Sequence, residues 1–370
     1  MRMLGAVCAA VITVTGTIMA VPTARAGFPG VNGWIAFENS QTGLQPDYDI
    51  FVTRLTDSGW ILRRLTNDPA GNRAHDTYAA VSPNGNEVAF SSRRSTEAFP
   101  NEGRDVEIYV MDTQDDDGDG FGDDMRRLTD NTAIDVQAAW SPGGKRLAFA
   151  SNRANLGSNT PTDIYVMDAD GSEEPIRLPR DPAASTSQHP VFSPDGEWVV
   201  FVGGYVNFEI DLDLFMTRAD GSGELIRLTD SVDATNTHPE ISPDGTKLAF
   251  ISNRDVDGDG LREADIDIYV MNLEPEDEAN VAVNITNGMI DAITGEETNE
   301  RIPAWSPDGT SIAFWAGLAA GTNPSTHRPG IWLIAADGTG SPIRITDPAM
   351  TAGPIRPDWG PAPTTPSASP

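Results

Sequence analysis

The chain is poor in cysteine, in positive charge and in uninterrupted apolar sequence. Cys8 is the one cysteine, so there is no disulfide framework and stability must come from a packed core. Lys and Arg number 25 against 55 Asp and Glu, a formal net charge of -30. Nucleic-acid backbones and anionic lipid surfaces are bound with Lys and Arg, so this balance argues against both as partners. It suits a soluble protein outside the cytoplasm, and it supplies oxygen donors for divalent cations. No G-x-S-x-G nucleophile elbow occurs, which removes the commonest hydrolase signature. With 39% hydrophobic and 22% charged residues, the composition is globular rather than disordered.

The apolar run Leu4 to Ala20 is short and interrupted by Thr and Gly. Arg2 precedes it, and Ala24-Arg25-Ala26 places small residues at the two positions that a signal peptidase reads. Residues 1–26 are therefore expected to be a signal peptide, leaving no membrane span in the mature chain and a secreted or periplasmic location. At the other end, residues 362–370 are rich in Pro, Thr and Ser and are expected to form a disordered tail.

Between these ends one unit recurs. It runs P-x-(W/F/I)-S-P-D-G-x-x-(L/I/V)-A-F, then D-I-Y-V-M, then R-L-T-D. The S-P-x-G element stands at Ser82, Ser141, Ser193, Ser242 and Ser306, at spacings of 49 to 64 residues. Ser at i, Pro at i+1 and Gly at i+3 suit a type I turn between two short strands. The β-rich run Ile268-Tyr269-Val270-Met271 and its counterparts make a third strand, and Arg227-Leu228-Thr229 and its counterparts a fourth. Four short antiparallel strands per unit of about 50 residues define a propeller blade.

The count of blades follows from the motifs. The third strand recurs at Ile50, Ile108, Ile164, Leu214, Ile268 and Ile331, and the fourth at Leu65, Leu128, Leu178, Leu228, Ile285 and Ile345. The sixth first strand is missing from its expected place. Arg356-Pro357-Asp358-Trp359-Gly360 supplies it at the C-terminal end, while Gly33-Trp34-Ile35-Ala36-Phe37 supplies the matching second strand. The expected fold is thus all-β, a six-bladed β-propeller spanning 27–361. Its blades are about 33–70 with 354–361, then 78–130, 137–180, 189–230, 238–287 and 302–347. Pairing of the terminal strands within one blade would close the ring and remove exposed edges.

Ser242 to Arg254 (SPDGTKLAFISNR) with Asp267 to Met271 (DIYVM) resembles the repeat of the TolB-type propellers. The likeness covers about residues 33 to 361, the propeller alone, since between Gly27 and the first blade strand there is room only for a short arm. It implies a monomeric, extracytoplasmic scaffold that binds a protein, a peptide or an envelope polymer. Oligogalacturonate lyases also resemble TolB-type propellers and hold a metal in a His-rich channel. The resemblance therefore implies a metal-dependent channel enzyme as an alternative, and a calcium-stabilised structural surface protein is a third reading.

Two sets of residues carry candidate chemistry. Asp255, Asp257 and Asp259 with Glu263, and Asp115, Asp117 and Asp119 with Asp123, place carboxylates at alternate positions of Gly-containing loops. That pattern can turn several hard oxygens onto one Ca²⁺. Both loops interrupt β-hairpins, and the twelfth position is Arg126 or Ile266 rather than Glu, so a solvated acidic turn is the alternative. The second set lies four residues before each repeat serine: Tyr78, Gln137, His189 and His238, completed by Ile302 and Arg356. These are expected to line the channel. Two His and one Gln on neighbouring blades suit a transition metal, although His-Pro is equally a strand-packing dipeptide. Arg153 and Arg254 are expected to pair with Asp163 and Asp267. Trp140, Trp305 and Trp359 share one repeat position and are expected to wedge between blades.

Overall fold

The computed structural model describes residues 32–40, 48–56, 59–67, 74–95, 100–103, 105–157, 160, 163–206, 210–230, 234–254, 266–273, 281–287, 289, 298–318, 330–346 and 355–361. The anticipated signal peptide, the C-terminal tail and the 255–265 loop lie outside these residues.

Short β-rich segments punctuated by Ser-Pro-x-Gly turns give 24 strands and no helix among the described residues. The first unit comprises β1 (Asn32–Ser40), β2 (Tyr48–Thr56) and β3 (Gly59–Arg64). The second comprises β4 (Thr77–Val81), β5 (Glu87–Ser92), β6 (Glu107–Asp112) and β7 (Arg126–Arg127). The third comprises β8 (Asp135–Trp140), β9 (Arg146–Ser151), β10 (Asp163–Asp168) and β11 (Ile176–Arg177). The fourth has β12 (Thr186–Phe192), β13 (Trp198–Val206), β14 (Ile210–Arg218) and β15 (Ile226–Arg227). The fifth has β16 (Asn236–Ile241), β17 (Lys247–Ser252), β18 (Asp267–Asn272) and β19 (Val283–Asn284). The sixth has β20 (Thr298–Trp305), β21 (Ser311–Leu318), β22 (Gly330–Ala335) and β23 (Ile343–Arg344). The last strand, β24 (Ile355–Pro361), joins the first unit in the order β24-β1-β2-β3, so every sheet has four antiparallel strands. Strands β24, β4, β8, β12, β16 and β20 touch in sequence around a closed ring. They are the inner strands of a six-bladed propeller, closed by the two ends of the described chain.

The repeat motifs have legible local roles. In each Ser-Pro-x-Gly turn the Gly N–H donates to the Ser carbonyl at 2.8 Å, and the Gly takes a positive φ of 65° to 74°. The Ser Oγ then accepts the N–H that opens the second strand, at 2.9 to 3.0 Å. The Thr of R-L-T accepts the N–H of the third-strand residue, as in Leu214 N to Thr229 Oγ1 at 3.0 Å, and Thr286 of Asn-Ile-Thr does the same for Ile268 N. Its hydroxyl donates in turn to the acid heading that strand, as in Thr229 to Asp213 at 2.6 Å. These contacts satisfy backbone donors that short outer strands leave over.

The core is shared rather than private. Among the described residues its buried apolar side chains fall into six clusters, five of which draw on neighbouring blades; in the sixth, Ala304, Ala313 and Ile331 of the last blade are packed by the partly buried Trp359 of β24. Phe37, Phe90, Phe149, Phe201, Phe250 and Phe314 occupy one repeat position and are all fully buried. Burying each contributes about 1.5–3 kcal/mol. Trp140 Nε1 donates to Ala80 O at 3.0 Å and Trp305 Nε1 to Glu240 O at 2.9 Å, each reaching from one inner strand to the next. The expected wedge role of these indoles is seen directly.

Candidate functional site

Each inner strand carries a β-bulge at the same repeat position, visible as a register shift against its partner. Tyr78, Gln137, His189, His238, Ile302 and Arg356 occupy that position, with φ between 52° and 61°. This left-handed conformation costs an L-residue about 1–2 kcal/mol, and a β-branched residue such as Ile302 is a genuine outlier there. The bulge re-aims one side chain per blade. All six residues line one central cavity of about 140 Å³.

Around this ring the side chains interlock. Arg356 Nη1 pairs with Glu38 Oε2 at 2.6 Å, and the guanidinium lies 4.4 Å from the Tyr78 ring centroid. The Tyr78 N–H donates to the other Glu38 oxygen. Gln137 Oε1 accepts from His189 N at 3.0 Å, and Gln137 Nε2 sits 3.2 Å from His189 Nε2. With the amide donating, that nitrogen is the imidazole acceptor and the proton resides on Nδ1. The His189 and His238 rings lie with centroids 3.8 Å apart, tilted by 35°.

Two further carboxyls lie one step along the channel. Asp358 and Glu240 occupy the position two residues after the bulge, where the other blades carry Ala80, Ala139, Val191 and Ala304. Asp358 Oδ2 accepts the Val81 N–H at 2.6 Å. The Glu240 carboxyl has no hydrogen-bond partner among the described residues, and the charge that acts on it is that of Asp358.

Electrostatics follow from enclosure. Water reaches the edges of these half-buried side chains through the channel, yet protein surrounds them on every side. Burial, then the Arg356 charge, pulls the His189 pKa down to about 3. Burial, His189, Arg356 and Arg301 hold His238 well below the ordinary imidazole range. Burial and then Asp358 push Glu240 well up, and burial raises Asp358 to about 6 against the pull of the Val81 N–H. Burial also raises Glu38, opposed chiefly by Arg356. Near neutral pH the channel therefore presents two uncharged imidazoles opposite poorly solvated carboxyls. The described lining residues include no Ser, Thr, Cys or Lys; their polar side chains supply hydrogen-bond acceptors and proton carriers.

Of the acidic loops, 255–265 lies outside the described residues, taking Asp255, Asp257, Asp259 and Glu263 with it. The other joins β6 to β7. Asp115, Asp117 and Asp123 bring ligand oxygens within 4.8 Å of one another, the only such group of His, Cys, Asp or Glu among the described residues. Asp119 stands outside that group and accepts the Phe121 N–H at 2.9 Å. Arg63, from the preceding blade, approaches Asp115 Oδ2 at 3.7 Å and donates to Thr113 O and Phe121 O, both at 2.7 Å.

The structure corrects both expected arginine pairings. Arg153 reaches Asp135 at 2.8 Å, on the inner strand of its own blade, and Arg254 reaches Asn236 Oδ1 at 3.1 Å. Asp163 is instead met by Arg177 and Arg180. The short Ser-x-Arg link after the second strand directs the guanidinium back over the blade's own aromatic pair, 4.9 Å from both Phe149 and Tyr165. The sequence reading also passed over Glu38, Glu240 and Asp358. For the last two a signal existed, because an acid there breaks a repeat position that is otherwise Ala or Val.

By fold the chain is a six-bladed β-propeller with a central channel. It is similar to TolB from Acinetobacter baumannii, at a TM-score of 0.60 and 17% identity, over 89% of this chain and 67% of that one. A chain in the nidogen/laminin complex aligns at a TM-score of 0.57 and 10% identity, covering 88% and 98% of the two chains. A puromycin-hydrolysing peptidase from Mycobacterium tuberculosis aligns at 0.50 and 16% identity; the likeness covers 89% of this chain and 49% of that enzyme. At these identities the likeness is one of fold. No protein-family model matches the chain, and no curated protein sequence does.

Proposed function

We propose that the chain is an exported binding scaffold of the cell envelope or its surroundings that engages a protein or peptide through its central channel. The observation that carries this reading is the bulge ring, where six strained backbones display five kinds of side chain around one cavity. An identical backbone with divergent side chains separates the fold's requirement from a recognition surface. The sequence likeness to TolB-type propellers, the strongly acidic composition and the N-terminal apolar segment support export and a binding role. Among the described lining residues no Ser, Thr, Cys or Lys stands beside the imidazoles and carboxyls to be activated by them, which supports the binding reading. Calcium enters the same reading as a structural ion at Asp115, Asp117 and Asp123, where the oxygens already converge.

The test is to select peptides from a displayed random library on the purified protein. Selected peptides are then measured against Ala139→Trp, which fills the cavity. Loss of binding in the filled variant is the expected result. Equal binding to both proteins would place recognition elsewhere.

A further inference from the structure

We infer that the Glu240–Asp358 side of the channel is a subsite for a primary ammonium group carried by the ligand. The inference rests on the channel-binding reading and names the chemistry the channel selects. Glu240 is enclosed by the inner strands, and its carboxyl has no hydrogen-bond partner among the described residues. Half-buried among the inner strands, it leaves its lone pairs to water in the channel or to a ligand. Asp358 accepts a single N–H from Val81, which leaves acceptor capacity unused. No described cation attends the pair, since Arg356 is committed to Glu38 at 2.6 Å.

Space and donor count then define the occupant. Ala80 and Ala139 line the same cavity as Glu240 and Asp358, and their small side chains leave it open. About 140 Å³ accommodates several waters or an ammonium group with a few carbons. A bound metal ion wants three or more convergent ligands, and Glu240 and Asp358 belong to no such group among the described residues. An ammonium needs fewer fixed contacts. It brings three donors and one positive charge on a compact head, which satisfies the unused lone pairs and relieves the repulsion between the two acids.

A lysine side chain and a peptide amino terminus share this chemistry, and the arms of the test separate them. Titration calorimetry on the whole mature protein would use Nα-acetyl-lysine amide, alanine amide, and Nα-acetyl-norleucine amide as the neutral match. Lysine side-chain recognition gives binding of the first, amino-terminal recognition gives binding of the second, and either supports the subsite. Glu240→Gln should weaken that binding at least tenfold while keeping a native circular-dichroism spectrum and a cooperative melt, and Ala139→Trp should abolish it with Glu240 intact. Binding of the norleucine compound as strong as the lysine compound, no binding of either amine, or full binding by Glu240→Gln would each overturn the inference. Library-selected peptides that still depend on the open cavity would then leave the channel reading standing without it.

Discussion

Arg356 Nη1 lies 2.6 Å from Glu38 Oε2, joining residues 318 positions apart in the chain. The pair ties β24 to β1 inside the closing blade, and the second Glu38 oxygen accepts the Tyr78 N–H of the next blade. Glu38 is fully buried, so its carboxylate depends on this company. Removing Arg356 alone strands the charge, a change that typically costs about 3–5 kcal/mol. Arg356→Met should therefore lower stability by that order in denaturant titrations, and Glu38→Gln with Arg356→Met should recover most of it. Equal stability of the single and double variants would show that the pair does not hold the ring closed.

The terminal strand makes a related prediction at larger scale. Trp359 packs with Ala304, Ala313 and Ile331, so β24 contributes to the core on both of its sides. Deleting 354–370 should lower the melting temperature of the whole domain, because every blade depends on its neighbours. Deleting only 362–370 should leave the melt unchanged within error.

At Ile302 the backbone strain can be measured. Its φ of 58° suits glycine, and the left-handed penalty for a β-branched residue is about 1–2 kcal/mol. Ile302→Gly removes that penalty while adding about 0.5–1 kcal/mol of unfolded-state entropy. The expected outcome is a neutral to slightly stabilising change in chemical denaturation. The same substitution at Ala304, in ordinary extended backbone two residues on, should destabilise by about 1 kcal/mol. A loss at Ile302 as large as that at Ala304 would argue against strain at the bulge.

Much of this was legible in advance, and the reason is repetition. Ser-Pro-x-Gly, D-I-Y-V-M and R-L-T encode contacts local to one blade, so each motif betrays its strand, and six copies of the third- and fourth-strand motifs betray the ring. The bulge position was also legible as a register position, although its left-handed backbone was not: His-Pro and Arg-Pro dipeptides suggest extended chain, and only the closed ring shows what they display. Arg153 was misassigned because Asp163 is near in sequence motif while Asp135 is near in space. Glu240 and Asp358 were missed because their burial arises from six strands converging, which no single repeat contains. The 115 loop falls between these cases, with Asp115, Asp117 and Asp123 brought together as the spacing suggested and Asp119 left aside.

That loop gives a metal prediction. If Asp115, Asp117 and Asp123 hold calcium, added Ca²⁺ should raise the melting temperature and chelator should lower it, by about 2–4 °C per kcal/mol of binding energy for a domain of 150–250 residues and less for a larger one. Asp115→Asn with Asp117→Asn should abolish the difference. Arg63 must yield part of its hold on Asp115, so Arg63→Gln should strengthen the calcium effect. A melt indifferent to both ion and chelator would leave the loop as an acidic turn.

Glu107 should make stability fall as pH rises. It is buried, accepts from Thr129 Oγ1 at 2.5 Å and from Asn131 N at 2.8 Å, and is raised to about 7, first by burial and also by nearby Asp135. Those two hydrogen bonds and Arg127 pull the other way and do not prevail. The folded state thus binds this proton more tightly than the unfolded chain, where a glutamate titrates near 4.5. The stabilising contribution is complete below about pH 4.5 and is lost progressively as pH climbs towards 7 and beyond, since stability rises with pH only where the unfolded state binds more protons. Glu240 and Asp358 shift in the same direction and add to the slope. Melting temperatures of the wild type and Glu107→Gln between pH 4.5 and 8 provide the check. The variant should show a shallower decline, with the two curves diverging most above pH 6. Parallel curves would mean that Glu107 is ionised throughout this range, held so by Thr129, Asn131 and Arg127 together.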